Sequence, residues 1–300
     1  MMRGQTNIIG AVRSAVAGHG LLRAKHLAQE FCANKGPAPE ALEALSWLAR
    51  GSLNAGRVQN AAAFAQEVHR LAARQAKQLD LAKEPHLATA LGAAIEVLAQ
   101  SMEKQGKHEE AVRLLNRQFA RFHASPIGAR IRKNLNLLTM EGQPAPKLEI
   151  RQWLGPHPPS LAKLRGQPVL LFFWAHYCQD SRAEGRILAR IRKRFDPATL
   201  ALIGPTRLYG HLDEHGRKPA GAIEETQRIK DVFRKYYQGL SEMPIIIDQR
   251  NFITYGASAT PTLVLVDHGG LVSLYHPGKM PYRDLSRRVK ELIRDSAAEA

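Results

Sequence analysis

The chain has 300 residues, 44% hydrophobic and 23% charged, with a formal net charge of +16 and two cysteines. This length and composition fit one large globular domain or two smaller ones, and exclude a disulfide-stapled miniprotein or a disordered chain. No apolar run reaches the length of a membrane-crossing helix. The basic excess is spread over both halves with no nucleic-acid-binding motif, so neither an integral membrane segment nor a nucleic-acid partner is expected.

The chain opens on MMRGQTNIIGAVRSAVAG. Arg13 interrupts the short apolar patch, which makes a poor secretory signal. The expectation is a chain that stays inside the cell, or one whose start is missing or atypical. Residues 5 to 138 read as helix throughout: alanine is abundant, apolar residues recur at three and four, and β-branched runs are absent. Breaks at Gly18-His19-Gly20, Gly36-Pro37, Gly56, Pro85, Gly106 and Ser125-Pro126 place helices near 21–34, 38–54, 57–79, 86–105, 108–123 and 126–138. Cys32, in the amphipathic LLRAKHLAQEFCANKG, reads as a small buried hydrophobe.

Two stretches of this half are alike: ALSWLARGSLNAGRVQNAAAFAQEVHRLA and ALGAAIEVLAQSMEKQGKHEEAVRLLNRQFARF. Each is a helix, a glycine turn and a second helix, with Trp47 matching Ile95 and Ala63 matching Ala111. They resemble tetratricopeptide-type helix pairs; a generic helical bundle is the other reading. Either offers a surface to a protein partner. This half shows no metal-ligand spacing, phosphate loop or nucleophile beside a base.

MEGQPAPKLEI (140–150) reads as a linker, because Gly142, Pro144 and Pro146 disfavour helix. It divides the chain into a helical domain, 1–140, and a second domain, 141–300. There the period changes. PVLLFFW (168–174) is a continuous apolar run suited to a strand buried on both faces. A helix over 179–195, a strand at 200–205, a charged helix at 221–238 and a strand at 243–248 follow. Strands at 262–267 and 271–276 flank the turn Asp267-His268-Gly269-Gly270, and an amphipathic helix spans 281–296. This order predicts a central sheet with helices on both faces. Arg182, Arg186, Arg190 and Arg194 share one stripe of the 179–195 helix, read as a solvated face or as a surface for an acidic partner or anionic membrane.

Cys178 ends the first long strand and opens a helix, facing unpaired backbone N–H groups and the positive end of the helix dipole. Both favour the thiolate, the attacking species in disulfide exchange. Trp174 and Tyr177 are expected to form an apolar rim. Asp180 opposes the thiolate by its charge; His176 either supports it when protonated or points to solvent.

FFWAHYCQDS, the lead-in HPPSLAKLRGQPVLLFFW, and YGASATPTLVLVDHGGLV together resemble the thioredoxin fold, and within it the TlpA-like branch, over residues 143–298. The resemblance implies a thioredoxin-like α/β/α domain behind the helical one, and thiol–disulfide exchange on protein thiols and disulfides. It implies a cis peptide bond at Pro261 that packs against Cys178, with the Thr260 backbone left to pair with an extended substrate. It implies proton transfer by Glu184; a surface glutamate paired with an arginine is the alternative. The aspartate that thioredoxin carries on its strand is replaced here by Phe172. No metal or cofactor is implied. The compartment implied is the cell envelope, against the poor signal.

The departure is Ser181, which stands where the family has its resolving cysteine. A serine hydroxyl cannot release a mixed disulfide from within the site, and Cys32 belongs to the other domain. Cys178 then acts as a monothiol resolved by an external thiol, or holds and isomerises partners as mixed disulfides. Otherwise the site is vestigial and the protein only binds partners, or the serine is an engineered trap. A peroxidase reading is weaker, since Ala175 stands where a threonine is wanted.

Overall fold

The alanine-rich first half of this computed structural model, which describes residues 7–213 and 216–298, forms helices. The first six residues of the stretch weighed as a signal peptide lie outside the described residues. The helices are α1 (Ile8–Ala17), α2 (Leu21–Lys35), α3 (Pro39–Asn54), α4 (Val58–Gln75), α5 (Pro85–Lys104), α6 (His108–Phe122) and α7 (Gly128–Thr139). Prolines at the first positions of α3 and α5 supply a preset φ where no N–H is needed. Leu42, Leu45 and Leu48 of α3 and Leu87, Leu91 and Ile95 of α5 fall at helical spacing and are buried. Helices α3, α4 and α5 pack on one another.

The α3–α4 and α5–α6 turns are built alike. Gly56 and Gly106 have φ of 73° and 74°, a conformation that glycine adopts at no steric cost. Across them the Arg57 N–H donates to the Ser52 carbonyl at 2.8 Å and the Lys107 N–H to the Met102 carbonyl at 2.9 Å. Helix α4 ends at Gln75, short of the expected 79; the Asp80 carboxyl caps the Ala82 N–H in the turns that follow. Cys32 is half-buried rather than buried, and burial with nearby Glu67 pushes its thiol pKa up.

The described chain divides into two compact units between Leu135 and Asn136, within α7 and earlier than the boundary expected near 140. The second unit holds β1 (Trp153–Leu154), β2 (Val169–Phe173), α8 (Gln179–Arg194), β3 (Ala201–Thr206), α9 (Ala222–Tyr236), β4 (Ile245–Ile247), α10 (Gln249–Thr254), β5 (Thr262–Val266), β6 (Val272–Pro277) and α11 (Tyr282–Ala298). Its sheet runs β1-β4-β3-β2-β5-β6. The β2–β3 and β3–β4 pairs are parallel; β2–β5, β5–β6 and β1–β4 are antiparallel.

Alternation along β2 divides the core in two. Leu170, Phe172 and Trp174 join the layer filled by Leu188, Ile229, Leu285 and Val289, so α8, α9 and α11 cover that face. Val169, Leu171 and Phe173 join Phe252, Tyr255 and Val264 on the other. That second face is covered by the short α10, by Leu161 and Leu164 of a 3-10 turn, and by the stretch expected to be a linker. Met140 and Leu148 are core residues there, the Ala145 N–H donates to the Gly270 carbonyl and the Val272 N–H to the Gln143 carbonyl. The prolines prevent helix, as the sequence suggests, but the extended backbone docks on the sheet.

Gly185 brings α8 onto the aromatic layer: a Cβ there would lie 2.3 Å from the Tyr237 ring. Gly185→Ala is expected to destabilise the protein by about 1–3 kcal/mol despite alanine's better helix propensity. A lower denaturant midpoint checks this; an unchanged or higher midpoint contradicts the close packing.

Candidate active site

Strand β2 stops at Phe173, and both backbone polar groups of the next residue, Trp174, are tied down. The Trp174 N–H donates to the Pro205 carbonyl at 3.1 Å, and Thr206 Oγ1 donates to the Trp174 carbonyl at 2.8 Å. A short turn follows, and Cys178 becomes the N-cap of α8. Its sulfur accepts the Ser181 N–H at 3.4 Å, filling one of the donor positions that a helix start leaves open. The thiol donates to the Thr260 carbonyl at 3.2 Å. The Thr260–Pro261 bond is cis, and β5 pairing begins only at Thr262, so the Thr260 backbone lies outside the ladder. Cys178, Ser181 and the Thr260 loop thus meet at one point, with Cys178 half-exposed.

Ser181 is buried, and its Oγ accepts the Ala175 N–H at 3.4 Å. Glu184 is wholly buried, which excludes the surface glutamate paired with an arginine. Its Oε2 accepts the Met280 N–H at 3.1 Å, and among the described residues Oε1 has no hydrogen-bond partner. Burial pushes its pKa up to about 7, against the opposing pull of the Met280 N–H and of Lys279. Tyr177 is half-buried, its ring 4.9 Å from those of Tyr209 and His211.

Two expectations need correction. Trp174 is not a rim residue: it is 0% exposed, lies 5.0 Å from the Tyr237 ring, and donates from Nε1 to the Gly204 carbonyl. It follows β2 in the same pleat as Leu170 and Phe172 and so points into the core. His176 neither faces solvent nor carries charge at neutral pH. It is fully buried, donates from Nε2 to the His211 carbonyl at 3.0 Å, and burial pushes its pKa down to about 4.

The charges at the surface of the site pair off. Asp180 holds Lys279 at 2.6 Å, which raises the lysine pKa and offsets the carboxylate charge near the sulfur. Arg182 donates to the His176 carbonyl and lies over the Tyr236 ring at 4.5 Å, while Arg190 covers Tyr282 at 3.9 Å; these members of the arginine stripe are packed on aromatic faces. Among the described residues no three or more His, Cys, Asp or Glu side chains are grouped to hold a metal. Tyr209, His211, Glu225 and Lys279 were not singled out in the sequence. They lie in loops or in a helix read only as charged, and no spacing marks them.

The strand order, the thiol at the head of α8 and the cis-proline beside it make the second unit a thioredoxin-like domain. No family model matches the chain. It is 24% identical over 151 residues to the thioredoxin-like protein YneN of Bacillus subtilis (strain 168), covering 50% of this chain and 78% of that one. Similar solved structures include a putative thiol:disulfide interchange protein DsbE from Chlorobium tepidum, with 18% identity, TM-score 0.40, and coverage of 51% of this chain and 97% of that one. A thiol-disulfide isomerase from Corynebacterium glutamicum has 21% identity and TM-score 0.40, with coverage of 50% and 96%. Thioredoxin-like relatives therefore cover half of the chain.

A carboxyl whose folded pKa is raised favours the fold below the unfolded value and loses that contribution as pH rises through the folded one. For Glu184 the window runs from 4.5 to about 7. Glu184→Gln removes this titration, so its stability relative to wild type is expected to improve between pH 4.5 and 8, by at most roughly 3 kcal/mol. Thermal melts across that range check it; parallel curves for the two proteins contradict it.

Proposed function

We propose that the protein exchanges thiols and disulfides through Cys178 alone. The observation that carries this reading is the sulfur's position: half-exposed at the N-cap of α8, accepting the Ser181 N–H and facing the Thr260 carbonyl. Cys178 as thiolate attacks one sulfur of a substrate disulfide. A new S–S bond joins Cys178 to that sulfur, the old S–S bond breaks, and the second substrate sulfur leaves with the electron pair as a thiolate. With Ser181 in the resolving position, a second external thiol, a low-molecular-weight one or a protein thiol, attacks the substrate sulfur of the adduct and returns Cys178 as thiolate. Disulfide is exchanged and the protein gains no electrons.

Glu184 is placed in this reading as a proton reservoir, since a carboxyl with a pKa near 7 both gives and takes a proton at neutral pH. Thr260 and Pro261 shape the groove, with the Thr260 backbone pairing with an extended substrate by strand addition. Tyr177 flanks the sulfur. The chain is read as two domains, 1–140 and 141–300. The matching turns at Gly56 and Gly106 support tetratricopeptide-like helix pairs in the first, and their role is to recruit a protein partner. The resemblance to the TlpA-like branch supports work in the cell envelope.

The competing reading is a domain that has lost its chemistry and only binds. Ser181→Cys separates the two. Wild type is expected to form a mixed disulfide with oxidised glutathione that Cys178→Ser does not form, and to reduce insulin disulfides poorly. Ser181→Cys is expected to reduce insulin at least about tenfold faster, because the resolving thiol is then intramolecular. A variant that stays inert, together with a wild type that forms no adduct, establishes the binding-only protein.

A further inference from the structure

The Cys178 turn is gripped from a side that carries no sequence motif. Between β3 and α9 the chain brings Tyr209, Gly210 and His211 beside it. Glu225, in the first turn of α9, is 1% exposed. Its Oε1 accepts the Tyr209 N–H at 2.6 Å and its Oε2 accepts the Gly210 N–H at 2.8 Å. His176 Nε2 donates to the His211 carbonyl at 3.0 Å; His176 Nδ1, 3.7 Å from Oε1, has no hydrogen-bond partner among the described residues. From the other side Arg182 donates to the His176 carbonyl at 3.0 Å. One network therefore joins Glu225, the loop, and the residue two before the nucleophile.

Burying a carboxyl group is costly unless its oxygens are hydrogen-bonded, and both oxygens of Glu225 are committed to the backbone of this loop. The loop in turn carries aromatic surface to the thiol. Tyr209 meets Tyr177 edge to face, with centroids 4.9 Å apart and planes at 83°, and the His211 ring lies 4.9 Å from Tyr177. Tyr177, half-buried, is the residue beside Cys178, and Tyr209 and His211 back its ring to form a wall there; Tyr209 is itself covered by Arg207 at 4.4 Å and by Phe252.

We propose that Glu225 is a positioning residue of the thiol site, and that the wall it fixes selects substrates with an aromatic side chain next to the reacting cysteine. This rests on the exchange reading of Cys178. An added ring against such a wall corresponds to a preference of roughly threefold to tenfold over a serine at that position.

The test uses the full chain and two peptides, Phe-Cys and Ser-Cys, each as a mixed disulfide with 2-mercaptoethanol. Cys178 attacks the peptide sulfur, mercaptoethanol leaves as its thiolate, and intact-mass spectrometry follows the protein–peptide adduct. Wild type is expected to favour the Phe peptide by roughly threefold to tenfold. Glu225→Gln and Glu225→Ala should bring the ratio towards one and release the Tyr209 and Gly210 amides to hydrogen exchange. Glu225→Asp, which keeps the carboxyl, should retain part of the preference. Tyr209→Ala should lose the preference while the Glu225 bonds to backbone N–H groups survive, and it decides the matter if the Glu225 variants do not fold. A wild-type ratio of one, or a preference that survives Glu225→Gln or Tyr209→Ala, overturns this proposal alone. A wild type that captures neither peptide nor hydroxyethyl disulfide overturns the exchange reading and this proposal with it.

Discussion

The arrangement turns on a sulfur acting as the cap of a helix. A helix start leaves N–H groups without partners, and the N-cap side chain ordinarily supplies an oxygen for one of them. In α8 that place is taken by Cys178, which receives the Ser181 N–H. Its position is not adjustable on its own. The end of β2 is pinned to Pro205 and Thr206, the helix begins one residue later, and the Thr260 carbonyl stands opposite. Strand, helix and cis-proline loop each fix one side of the sulfur, and the rest of the sheet exists around that meeting point.

Desolvation then sets the electrostatics. Burial raises the pKa of an acid and lowers that of a base, favouring the uncharged form of each. Glu184 and His176 are both wholly buried and shift in those opposite directions. The exposed charges nearby, Asp180 and Lys279, neutralise each other. What reaches the Cys178 sulfur is thus the backbone N–H of Ser181, while the exposed side-chain charges nearby are paired with each other. Such an N–H group is preorganised and needs no rearrangement when negative charge develops.

The sheet was legible because its strands are short unbroken apolar runs, and the site because cysteine and proline sit at strand ends where side chains must converge. Trp174 shows where this stops. It belongs to a motif at the site, yet the pleat that buries Leu170 and Phe172 carries its ring inward too, and motif membership says nothing about which way a side chain faces. His176 was misread for the same reason. Its buried Nε2–H is satisfied by the His211 carbonyl, distant in sequence and unmarked by spacing. The two-residue β1 and the six-residue α10 escaped because neither is long enough to display a period. The helices of the first half were clear from alanine content and glycine breaks, but the end of α4 was not, since no strong breaker follows Gln75.

Residues 140–150 look like a spacer and behave as siding. Pro144 bridges Leu271 in antiparallel fashion, the Gly142 N–H meets the Val272 carbonyl, and Met140 and Leu148 close the layer that contains Ile203 and Val264. This strip shields the beginning of β6, one of the two edge strands, whose unpaired groups would otherwise offer a template to a foreign strand. A fragment begun after residue 150 would therefore be born with a raw margin. The thioredoxin-like unit keeps this margin of its sheet covered with a piece of sequence that looks as though it belongs to neither half.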